Sequence, residues 1–70
     1  MNKISVAQKM LDSNKEQLLQ IEIRKAYLTR KVVTEKSQQV TYELAQITSE
    51  EKEVKSWIDY LEEKIKDKFK

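Results

Sequence analysis

LQIEIRKAYLTRKVVTEKSQQVTYELAQITSEEKEVKSWIDYLEEKI, residues 19–65, carries an apolar residue at every seventh position. Counted from Leu19, the series continues through Ala26, Val33, Val40, Ile47, Val54 and Leu61. A companion series holds Ile23, Arg30, Ser37, Leu44, Glu51, Ile58 and Ile65. Eleven of these fourteen positions are apolar, where the overall apolar content of 39% would place about five or six. An apolar side chain every 3.5 residues marks a helix that packs along one seam against another helix. Arg30, Ser37 and Glu51 read as polar layers, which weaken a seam but fix its register.

Working outward, the first half carries a second stripe. Ile4, Ala7, Leu11, Leu18, Ile21, Leu28 and Val32 repeat at the same spacing in another phase. Within it, Leu18, Ile21, Leu28 and Val32 lie on the opposite side of a helix from Leu19, Ile23, Ala26 and Val33. A helix that is apolar on two faces is buried between neighbours. The second half is mainly one-faced, with Trp57 and Tyr60 beside its seam. The first half therefore reads as an inner element and the second as an outer one.

Composition agrees. The 70 residues include no Gly, Pro, Cys or His, and 37% are charged. Without Gly or Pro, the tight turns of a β-rich fold are unsupported. Lys, Glu, Gln, Leu and Ile favour helix. A chain this short buries too little surface to be comfortably stable alone. Disulfides and a structural zinc site are closed to it, which leaves association or close helix packing. The expected fold is all-α, with long amphipathic helices forming a helical hairpin or an extended, oligomeric coiled coil.

The position of a bend is open among three places. Ser13 with Glu16 and Thr48 with Glu51 both fit a capping box. They suggest a short helix or extension at 4–12, a long helix from about residue 14, and a C-terminal helix at about 49–68. The polar run Thr34–Gln39 divides the chain in half without any turn residue. Charge supports folding back around it: residues 1–42 hold eight basic and four acidic residues, and residues 43–63 hold two basic and seven acidic. An antiparallel arrangement brings these halves together and selects orientation.

Chemistry is sparse. With neither His nor Cys, the usual acid–base and thiol nucleophiles are missing, and no Ser or Thr has an activating His. The carboxylate pairs Glu50–Glu51 and Glu62–Glu63 read as solvated helix faces. No catalytic, cofactor-binding or metal-ligating residue is assigned, and no small-molecule substrate is implied. Arg24, Lys25, Arg30 and Lys31 beside Tyr27 suggest a phosphate-binding patch. A net charge of only +2 and the preference for Lys over Arg disfavour it. Lys64, Lys66, Lys68 and Lys70 suit the negative end of a terminal helix. With Phe69 they also suggest a hook for an acidic surface. The narrow apolar seam disfavours membrane-surface binding. No apolar run reaches membrane-spanning length, and no apolar leader follows Lys3. A soluble protein, cytoplasmic or inside a particle such as a virion, is expected.

The candidate interface is Leu19, Ile23, Ala26, Val33, Val40, Leu44, Ile47, Val54, Trp57, Ile58, Leu61 and Ile65. The second stripe is reserved for an additional helix or partner. In size and helix content the chain resembles internal or scaffolding proteins of phage capsids, secretion-system subunits and chaperones, and small phage-encoded regulators. That resemblance covers no motif and transfers no residue. The Lys, Ile and Glu bias suggests an AT-rich bacterial or phage source. Three functions follow in order: a structural or assembly protein packing on itself or a larger complex; a regulatory module engaging one target through Trp57 and Tyr60; and a nucleic-acid binder using Arg24, Lys25 and Lys31.

Overall fold

The computed structural model describes residues 2–68 as two antiparallel helices, α1 (Lys3–Glu35) and α2 (Gln38–Lys66), with no strand among them. The particle measures 49 × 15 × 15 Å. That length is what one helix of 33 residues spans at about 1.5 Å per residue, and about half of a 70-residue rod. The fold is thus the hairpin.

Each end has a local cause. Asn2 caps α1: its Oδ1 accepts from the Ser5 backbone N–H at 2.7 Å. At the far end Lys36 adopts the left-handed conformation, φ 47° and ψ 38°, and its N–H donates to the Val32 carbonyl at 3.1 Å. This is the reversal that glycine usually makes, here carried by a lysine. Ser37 then caps α2, its Oγ accepting from the Gln39 N–H at 3.1 Å.

The bend therefore lies in the Thr34–Gln39 run, and the other two candidate breaks are corrected. Ser13 and Thr48 sit inside continuous helix. The Thr48 hydroxyl donates to the Leu44 carbonyl at 2.8 Å, four residues back, so it caps nothing. The N-terminal segment is part of α1, and α2 begins at Gln38 rather than near 49. Ser37 is a cap, not a seam layer.

One core runs along the hairpin. From α1 it takes Ala7, Leu11, Ile21 and Leu28, with Leu18 and Val32 half-buried; from α2, Val40, Ile47, Val54, Ile58 and Leu61, with Leu44 and Ile65 half-buried. In α2 these positions, with Glu51 as the polar member, advance in alternating steps of four and three, the coiled-coil spacing. The α1 positions keep the same spacing once Asn14 and Lys25 are included as its polar members. Asn14 turns its amide to the Met10 carbonyl at 2.8 Å.

Ile21, 1% exposed, is among the most enclosed side chains. Ile21→Ala should cost about 2–5 kcal/mol in urea denaturation. A loss within experimental error would place the core elsewhere. Lys36→Gly removes the left-handed penalty at the price of a more flexible unfolded chain. A net gain of about 0.5–1 kcal/mol is expected, seen as a higher urea midpoint at unchanged slope. A lower midpoint would show that Lys36 holds its backbone by contacts that glycine loses.

Candidate interaction surface

The two stripes of α1 have separate fates. The second stripe is the one that meets α2, with Ile21 and Leu28 buried and Leu18 and Val32 half-buried. Its additional helix is the chain's own. The first stripe faces outward: Leu19 is 61% exposed, Ile23 72% and Val33 71%, and Ala26 is exposed among them. These residues therefore do not continue the hairpin seam of Val40, Leu44, Ile47, Val54, Ile58, Leu61 and Ile65, although they match its spacing. The reversal at Lys36–Ser37 breaks the angular phase between them. Arg30 lies in the outward stripe and is exposed as well.

Charges join the helices as their sequence asymmetry suggests. Lys15 meets Glu62 at 3.7 Å, Arg24 meets Glu50 at 3.9 Å, and Lys25 meets Glu51 at 2.9 Å. The last pair replaces apolar residues at facing seam positions. A neutral residue on either side would strand a half-buried charge, so this pair discriminates against slipped registers. The hydrogen bond from Lys25 holds the Glu51 carboxyl below its ordinary value of 4.5. Partial burial opposes the shift, and the charges of Lys25 and Lys55 add to it. Lys31 approaches Glu35 at 4.0 Å and lies 5.8 Å from the Tyr27 ring centroid. Of the suggested phosphate patch, Arg24, Lys25 and Lys31 thus each face a carboxylate, while Arg30 joins none of these pairs.

A second apolar surface lies at the open end of the hairpin. Val6 and Met10 of α1 and Trp57 and Tyr60 of α2 line a groove of about 430 Å³. Trp57 and Tyr60 meet edge-on, with centroids 6.1 Å apart. Trp57 remains 43% exposed, so it lies at the edge of the core. Sequence reasoning found Trp57 and Tyr60 but missed Val6 and Met10. Their spacing of four residues was the available signal. Lys64 and Lys66 occupy the last turn of α2, where they suit its dipole, and Lys64 lies 5.8 Å from the Tyr60 ring centroid. Of the rest of the suggested hook, Lys68 follows the helix and is exposed, and Phe69 and Lys70 lie outside the described residues.

Among the described residues no acidic cluster is arranged to hold a metal ion, and no helix is long and apolar enough to cross a membrane. No family model, curated protein or solved structure matches the chain.

Because the folded-state pKa of Glu51 is depressed, its stabilisation is fully present above 4.5 and is lost as the pH falls through the lower folded value. The melting temperature should therefore fall on acidification through this range, and Glu51→Gln should flatten part of that fall. An identical acid limb in the variant would show that the pair does not contribute.

Proposed function

We propose that this chain is a non-enzymatic structural or assembly protein that works by packing the outer face of α1 against further helices, its own copies first, alone or within a larger complex. The observation that supports this reading is the exposed stripe Leu19, Ile23, Ala26 and Val33. It is a second helix-packing face on a helix whose first face is already filled. Fully burying an exposed Leu, Ile or Val is worth up to about 1.5–3 kcal/mol. A two-helix unit of 70 residues has little stability of its own to forgo that gain. The protein is expected to act in the cytoplasm or inside a particle, as a phage or bacterial scaffold component does.

A second reading, a regulator that docks one target protein, is favoured by the Trp57–Tyr60 groove. The two readings differ in where damage falls. Under the first, Ile23→Asp abolishes association; under the second, Trp57→Ala abolishes target binding while the mass of the free protein is unchanged.

Light scattering coupled to small-angle X-ray scattering over a concentration series is the direct test. The wild type should exceed the 8.4 kDa chain mass, and Ile23→Asp with Val33→Asp should return it to that mass with helicity retained. A wild type that stays at 8.4 kDa at every concentration would overturn self-association and leave the outer face to a different protein.

A further inference from the structure

Resting on the reading of α1's outer face as a helix-packing surface, we propose that its occupant is a second copy of this chain. The two α1 helices run antiparallel about a two-fold axis at Ala26. The stripe is nearly symmetric about that residue. Leu19 and Val33 lie seven positions to either side, and Glu22 and Arg30 lie four to either side. At about 100° per residue, Leu19, Ile23, Ala26, Arg30 and Val33 share an arc of about 80°, with Glu22 at its edge. The stripe is about 21 Å long, roughly four helical turns. A two-fold at Ala26 sets Leu19 against the partner's Val33. It sets the Glu22 carboxylate at the same level as the partner's Arg30, across a narrow interface. Ile23 then packs on the methylene stem of the partner's Arg30. Ala26, the smallest side chain in the stripe, falls on the axis, where the helices approach most closely.

Charge selects this arrangement over its alternatives. Neither Glu22 nor Arg30 joins the ion pairs found among the described residues, and both are exposed. A parallel, in-register pairing would put Arg30 on Arg30 and Glu22 on Glu22. The antiparallel pairing satisfies both charges twice, as a self-complementary interface requires. α2 offers no second heptad stripe to compete for the face, because its seam is already filled by α1. The dimer so formed has both α1 helices inside and both α2 helices outside.

The chain's lack of cysteine makes the axis directly testable. Ala26→Cys should form a disulfide between two copies under mild oxidation, because the two sulfurs meet on the axis within bridging distance. Ser49→Cys, on the exposed side of α2, should cross-link at least about tenfold more slowly. Arg30→Glu should weaken the dimer about tenfold, and adding Glu22→Arg should restore it, since the exchanged charges meet again. A wild-type dimer in which Ala26→Cys links no faster than Ser49→Cys, or in which the double exchange fails to rescue, would overturn this pairing while self-association stands. A wild type that is monomeric throughout would overturn both.

Discussion

α1 has two apolar faces, and the hairpin can cover only one of them. The rest of the molecule follows from this mismatch. α2 has a single seam, so once it docks on Ala7, Leu11, Ile21 and Leu28, the stripe from Leu19 to Val33 is left in solvent. A larger domain would supply a third helix from the same chain. The described residues form two helices, so the remaining face is covered by something beyond them or stays wet.

Register depends less on the apolar residues than on the few polar ones among them. Leu, Ile and Val tolerate a slip of one heptad with little loss, because another apolar residue takes each place. Lys25 opposite Glu51 does not, since a slip buries one charge without the other. Arg24 with Glu50 and Lys15 with Glu62 extend the same sign pattern along the hairpin. As exposed pairs they add little energy individually. Their contribution is to make the antiparallel alignment the one in which unlike charges meet.

Much of this architecture is legible in the sequence, and the exceptions have physical causes. The α2 seam from Val40 to Ile65 follows directly from its spacing, and so does the presence of two apolar faces on α1. Which α1 face meets α2 does not follow. Leu19, Ala26 and Val33 continue in step into Val40 and Ile47, so a linear count joins them, but the turn discards that phase relation. The turn itself leaves no signature. Lys36 is not a residue type that marks left-handed backbone. Ser37 is followed three residues later by Val40 where a capping box would have Glu or Gln. The patterns that do look like caps, at Ser13 and Thr48, lie where the helices are held by packing on both sides. Tertiary contacts outweigh local preference there.

That reversal at Lys36 also bears on how the chain folds. Its residue propensities from 3 to 66 favour helix throughout, with neither glycine nor proline to mark the reversal. The bend opposes them, holding a lysine in a region that L-residues avoid at a cost of about 1–2 kcal/mol. Such a turn does not nucleate. Its cost is offset by the apolar seams that close on each other along the hairpin. The hairpin is thus a locally frustrated state maintained by its core. Anything that loosens the core favours straightening, and a straightened chain would expose both faces of α1 together with the seam of α2.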